Sequence, residues 1–176
     1  MMYTLVPLGN PGNQYKDTRH NAARIISDLL SDDIHKLEGV EVFIPETFMN
    51  ESGKALQEYL NYKEGREPIV IYDDKDLPLG TIRISHDRGD GGHNGVKSVI
   101  EHLGTREFTR IRIGIAPVEV DGKEIRAPHG EEVQGYVLGK FTDDEEVKLR
   151  EVAPKVLGAV QAIVEVGYQK AMERFN

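Results

Sequence analysis

Apolar residues recur along this chain at two periods, and the switching between them predicts its layout. Tyr3 to Leu8 is a short apolar run ending at Gly9-Asn10-Pro11-Gly12, which reads as a strand followed by a turn. Ala22, Ile25, Ile26, Leu29 and Leu30 then fall at helical spacing across 21–30. Residues 40–44 predict a second strand closed by Pro45, and Ala55, Leu56, Tyr59 and Leu60 predict a helix within 50–60. Ile69-Val70-Ile71-Tyr72 has the pattern of a buried strand that gives way to Asp73-Asp74-Lys75-Asp76. Residues 80–85 alternate as a half-exposed strand, Val96, Val99, Ile100 and Leu103 mark a helix, and 109–115 alternates again with Ile111, Ile113 and Ile115 on one face. The polar stretch 117–132 reads as a mobile surface loop. Thr142 and Glu145 carry the capping-box spacing of a carboxy-terminal helix, in which Pro154 predicts a kink or a division.

Strands alternating with helices predict a single α/β domain, with ligands collecting where strands end. Asn10 and Asp73 both fall just past apolar runs. The length of 176 residues suits one domain with its own core. No cysteine is present, which excludes disulfides, thiolate catalysis and Cys-ligated metal. No run approaches a membrane span, and the first residues do not read as a signal peptide, so a cytoplasmic protein is expected. A net charge of -8 disfavours non-specific nucleic-acid binding, yet Arg83, Arg88, Lys97, Arg106, Arg110 and Arg112 gather in one stretch. That stretch is either a mixed surface or a basic face on an acidic body.

The candidate chemistry is carried by histidine and asparagine in turn-like segments. His20 suits a general base, with an ordinary pKa of about 6.5; it also fits a surface histidine at a helix start. Asp73 could hold its tautomer, or simply form a turn. Asn10 could open a turn, and Asn50 and Asn94 could cap helices; together their amides could grip a peptide or an oxyanion. His86 to His93 and Asp73 to Asp76 lack the ligand spacing of a known metal site, so no metal and no cofactor are expected. No Gly-x-Ser-x-Gly elbow is present either. These features suggest a hydrolase that uses histidine and water.

Five segments occur in an order that narrows this reading. They are Leu8-Gly9-Asn10-Pro11-Gly12 with Tyr15, Thr18-Arg19-His20-Asn21, residues 45–53 (PETFMNESG), residues 73–80 (DDKDLPLG) with Arg83, and residues 91–97 (GGHNGVK). Tyr136 to Phe141 adds a weaker sixth. Across nearly the whole chain the set resembles the bacterial-type peptidyl-tRNA hydrolase family. The resemblance implies one α/β domain with a mixed, twisted sheet flanked by helices. It implies hydrolysis of the ester between a peptide and the 3′ end of tRNA, with His20 activating water and Asp73 orienting it. Asn10, Asn50 and Asn94 would position the substrate, Tyr15, Phe48 and Met49 would line the cleft, and His93 would lie close by. The alternative is a relative with a changed substrate, such as a small esterase or a non-catalytic tRNA-binding module.

The partner implied is peptidyl-tRNA, met at its 3′ end and acceptor stem by a monomer with no obligate protein partner and no membrane. Arg83, Lys97 and Arg112 are expected to form a phosphate clamp, with Arg88 and Arg110 as additions, because Arg83 and Arg112 lie on the polar side of alternating strands. Four departures from the family pattern stand out: a short 31–44 segment that could cost part of the sheet edge, a long 117–132 loop, Pro7 ahead of Asn10, and Ser85 where relatives often place lysine.

Overall fold

The computed structural model describes residues 1–118 and 127–176. Five strands form one sheet among these residues: β1 (Met2–Pro7), β2 (Val40–Val42), β3 (Arg66–Pro78), β4 (Ile82–His86) and β5 (Thr109–Ala116), in the order β2-β1-β3-β5-β4. The first four strands in that order pair in parallel, and β4 closes the edge antiparallel to β5. The helices are α1 (Ala22–Leu29), α2 (Ser31–Ile34), α3 (Ser52–Tyr62), α4 (Asn94–Leu103), α5 (Glu132–Leu138), α6 (Asp143–Val166) and α7 (Tyr168–Phe175). The domain is therefore the mixed α/β sheet that the sequence predicts.

Period-2 alternation in the central strands divides the core in two. Ile69 and Ile71 of β3, with Ile111, Ile113 and Ile115 of β5, pack on one face against Ala22 and Ile26 of α1 and Leu149, Val152 and Val156 of α6. Val70 and Tyr72 face the other way, onto Leu56 of α3 and Val96 and Val99 of α4. Helices α3 and α4 cross closely because residue 53 is glycine: a Cβ there would lie 1.9 Å from the Ser98 carbonyl oxygen. The Gly53 N–H instead donates to Ser98 Oγ at 2.9 Å.

Several elements differ from the sequence expectation. Strand β3 continues past Tyr72, so Asp73 is a strand residue rather than the start of a turn; parallel pairing with β5 carries it on, and the register breaks only between Asp74 and Pro78. All eight residues of β5 are buried, including the polar ones, because strands pair on both sides of it and helices or a loop cover its faces. Pro154 does not divide α6. It sits on the exposed side while Val152, Val156, Ala159, Val160 and Ile163 keep both halves on the sheet, so the carbonyl it frees can meet water. The chain breaks instead at Gly167, where φ is +83°. The short 31–44 segment still supplies an edge strand, β2, three residues long. Pro7 remains in β1, and the Leu8 N–H donates to the Ile71 carbonyl, so the chain keeps its strand path toward Asn10. Of the expected 117–132 loop, residues 119–126 lie outside the described residues, and Glu132 already belongs to α5. The Thr142–Glu145 capping box is formed as expected.

Candidate active site

The end of β1, the turn before α1 and the middle of β3 bring His20, Asp73 and Asn10 together. His20 Nδ1 lies 3.0 Å from both Asp73 carboxylate oxygens, and His93 Nε2 lies 2.9 Å from Oδ1. All three residues are buried. His93 is the N-cap of α4: its Nδ1 accepts the Val96 N–H at 3.2 Å. An atom that accepts cannot carry the proton, so neutral His93 is protonated on Nε2 and donates to Asp73. His20 donates to the same carboxylate through Nδ1, which leaves its Nε2 as the basic ring nitrogen.

Charge and burial oppose each other here. Burial disfavours the Asp73 anion, but His20 and then His93 outweigh it and hold the carboxyl well below the usual carboxylate range. For His20, burial disfavours the imidazolium, and the Asp73 charge and hydrogen bond more than compensate, raising its pKa above the ordinary histidine value.

Asn10 is fixed on three sides. Its backbone N–H donates to Asn21 Oδ1 at 2.8 Å, and Asn21 Nδ2 returns a bond to its carbonyl at 2.9 Å. Its own Oδ1 accepts the Met49 N–H at 2.8 Å, so the amide NH₂ is the end left to donate to a ligand. The role of Asn21 depends on a turn folding back over eleven residues, which spacing in the sequence does not reveal.

These groups open on a cleft of about 750 Å³. His20, Asp73, Asn10, Met49, Asn50, Phe48, His93 and Asn94 all line it. Tyr15 does not; it meets Phe48 edge-on, with ring centroids 6.3 Å apart. Neither asparagine at a helix start is the N-cap: Asn50 is in a 3₁₀ turn before α3, and Asn94 is the first residue of α4 behind His93. Val133, Gln134, Val137 and Leu138 of α5 also line the cleft, a contribution that the sequence pattern left unassigned.

The expected phosphate clamp does not assemble as drawn. Arg83 and Lys97 are exposed, but Arg112 is only 7% exposed and bonds Asp74 Oδ2 through Nε and Nη2, each at 2.8 Å. Arg110 is fully buried and donates to the Arg88 and Gly89 carbonyls. Position on the polar side of an alternation predicts solvent only for an uncovered strand, and β5 is covered. Ser85, too, is buried. Arg88 lines the cleft and is exposed.

The ligand atoms of His20, Asp73 and His93 lie within 4.8 Å of one another, close enough to face a metal ion. The capping bond argues against that use. A metal on His93 Nε2 would move the ring proton to Nδ1, against the Val96 N–H that now donates there.

Comparison with known proteins places this architecture. Residues 4–176 match the family described as peptidyl-tRNA hydrolase. The chain is 40% identical over 194 aligned positions to the peptidyl-tRNA hydrolase of Caldanaerobacter subterraneus subsp. tengcongensis, covering 99% of this chain and 100% of that one. It is 37% identical to the peptidyl-tRNA hydrolase of Bacillus subtilis, covering 99% and 98%. The crystal structure of peptidyl-tRNA hydrolase from Acinetobacter baumannii matches with a TM-score of 0.84 at 28% identity, covering 99% of this chain and 94% of that chain. The aligned length exceeds the 176 residues here, so the two sequence relatives carry residues that this chain lacks.

Proposed function

This chain belongs to the peptidyl-tRNA hydrolase family, and from that premise we propose that its hydrolysis of peptidyl-tRNA is carried out by His20 and water without a covalent intermediate. The observation that carries the reading is the His20–Asp73 pair, with Nδ1 engaged and the ring lining the cleft. His20 Nε2 takes a proton from a water molecule as its oxygen bonds the ester carbonyl carbon. The oxyanion that forms is met by the Asn10 amide NH₂, whose direction is set by the Met49 N–H. Collapse breaks the bond to the ribose 3′ oxygen, and the imidazolium returns its proton to that oxygen, giving free tRNA and a peptide carboxylic acid that then ionises to solvent. Asp73 stabilises the imidazolium without taking its proton. Asn50 and Asn94 hold the substrate from the rim, Phe48 and Met49 give it an apolar surface, and Tyr15 supports Phe48.

The tRNA is held by the exposed cations Arg83 and Lys97 together with Arg88, and Arg112 serves instead to fix Asp74. The protein acts in the cytoplasm as a monomer with no obligate protein partner; no described helix is long and apolar enough to cross a membrane.

Incubation with N-acetylaminoacyl-tRNA should release free tRNA, and an intact substrate after prolonged incubation overturns the reading. A short acylated mimic of the tRNA 3′ end removes the need for magnesium in tRNA folding. With it, chelation should leave the rate unchanged, whereas loss of activity restored by one metal would assign the His20, Asp73 and His93 cluster to that ion.

The pH dependence follows from the sign of the His20 shift. Only the neutral imidazole accepts a proton, so kcat/KM should fall as pH drops through the raised pKa. The acid limb of the profile should therefore have its midpoint above the ordinary histidine value of about 6.5. A midpoint below that value would contradict the ionised Asp73 partner.

A further inference from the structure

We propose that Arg19 is a positioning residue that holds α5 in place as a wall of the cleft, and thereby sets affinity for the peptide part of the substrate. The inference rests on the hydrolase reading above and adds a residue that does not itself line the cleft. Arg19 directly precedes His20, yet its side chain turns to the other side of the turn. Its Nη2 donates to Glu145 Oε2 at 2.9 Å and its Nη1 to the Tyr136 carbonyl at 3.3 Å. The guanidinium carbon stands 4.4 Å from the centre of the Tyr136 ring and 5.8 Å from that of Phe141. The Arg19 backbone N–H adds a bond to the Gly139 carbonyl at 2.9 Å. One residue thus ties the catalytic turn to α5, to the segment after it and to the start of α6.

The anchor is itself rigid. Glu145 Oε2, which receives Arg19, also accepts the Thr142 N–H at 2.8 Å as half of the α6 capping box. Gly139 leaves room for the guanidinium, since a Cβ there would lie 2.7 Å from Nη1. At 12% exposure the Arg19 side chain is largely shielded from water, so its charge pairing and ring stacking are little screened.

Helix α5 needs such an anchor. It has seven residues, too few to be stable alone, and Val137 is its only buried residue. Val133, Tyr136, Val137 and Leu138 pack it against the core, and among the described residues its side-chain hydrogen bond to the sheet is the Tyr136 hydroxyl donating to the Ile115 carbonyl. What it presents to the cleft is Val133, Gln134, Val137 and Leu138. It carries no basic residue, and Glu131 and Glu132 stand at its start. That wall suits uncharged peptide and repels phosphate. His20 is held separately by Asp73, so loosening α5 should affect binding and not the base.

The test compares Arg19→Met and Arg19→Lys with the wild-type protein on two substrates, N-acetylaminoacyl-tRNA and the same tRNA bearing a longer uncharged peptide. Arg19→Met should raise KM for the longer peptide about tenfold, and less for the acetyl substrate, with kcat and the acid limb of the pH profile near wild type. Arg19→Lys keeps a charge for Glu145 but lacks the flat fork that bonds and stacks on Tyr136, so it should fall between. Equal falls in kcat on both substrates with a displaced acid limb would mean that Arg19 acts on His20, and would overturn the proposal. So would an unchanged KM in both variants. Should Arg19→Met fail to fold, Arg19→Lys decides alone by the same comparison. Kd for an uncleavable analogue, with an amide in place of the ester, separates the two readings: wild-type protein that binds it but cleaves neither ester breaks the hydrolase reading, while the Arg19 effect on Kd still stands or falls by itself.

Discussion

His20→Ala should lower kcat/KM on N-acetylaminoacyl-tRNA by about a hundredfold to ten-thousandfold, the range that a positioned general base supplies. The loss should fall mainly on kcat, because the cleft walls formed by Asn10, Met49 and α5 do not depend on the imidazole. The fold should survive. Asp73 keeps its bond from His93 Nε2, and the His20 backbone remains in its 3₁₀ turn. Some stability is nevertheless lost, since the buried carboxylate gives up one of two partners. Initial rates beside far-ultraviolet circular dichroism make the check. Wild-type turnover in a folded His20→Ala protein would remove His20 from the mechanism.

Asp73→Asn should also lower turnover, by up to about ten-thousandfold where the His20 tautomer is reversed, and should leave a distinct signature in pH. Both neighbouring ring nitrogens donate to the carboxylate: His20 Nδ1 to its two oxygens and His93 Nε2 to Oδ1. An amide offers one acceptor and one donor. His93 cannot exchange its proton to the other nitrogen, because Val96 already donates there, so it claims the amide oxygen. The amide NH₂ is then turned toward His20 Nδ1, which must accept, and the proton moves to Nε2, the nitrogen that should act as base. Loss of the carboxylate charge also removes what raises the His20 pKa, so the acid limb should move to lower pH. A variant with unchanged rate, or with its limb displaced upward, would show that Asp73 does not orient His20. Combining Asp73→Asn with His20→Ala should add little to the loss from His20→Ala, since the two residues act as one unit.

The same pair makes stability depend on pH from both ends. The depressed Asp73 pKa contributes stability that is complete above the unfolded carboxylate value of about 3.9 and fades as pH falls below it. The raised His20 pKa contributes stability present below the unfolded histidine value of about 6.5, lost as pH rises through the folded value. Stability from this site is therefore greatest between those two unfolded values, while turnover is favoured on the alkaline side. On the proposed mechanism His20 would act as a base where its own ion pair no longer stabilises the fold.

What the sequence determined by itself were the features that depend on near neighbours along the chain. The alternation of Ile111, Ile113 and Ile115 and the helical spacing of Ala22 and Ile26 specify which faces must be buried, and so the α/β layering. Thr142 and Glu145 specify the start of α6. The ordered segments around Asn10, His20, Met49, Asp73 and Asn94 carry the family resemblance, which implied the side chains that the fold brings to the cleft. The tertiary structure decided what those neighbours meet across the fold. It turned Arg112 from a solvent-facing cation into the buried partner of Asp74, because the face of β5 that carries it is covered. It continued α6 through Pro154, because apolar contacts on both sides of the proline outweigh one missing hydrogen bond. It set His93 between Val96 and Asp73, and Asn10 between Asn21 and Met49, thereby choosing which nitrogen carries a proton and which end of an amide faces the cleft. Those choices are made by hydrogen-bond partners distant in sequence, whose positions are set by packing and not by the local period of the chain.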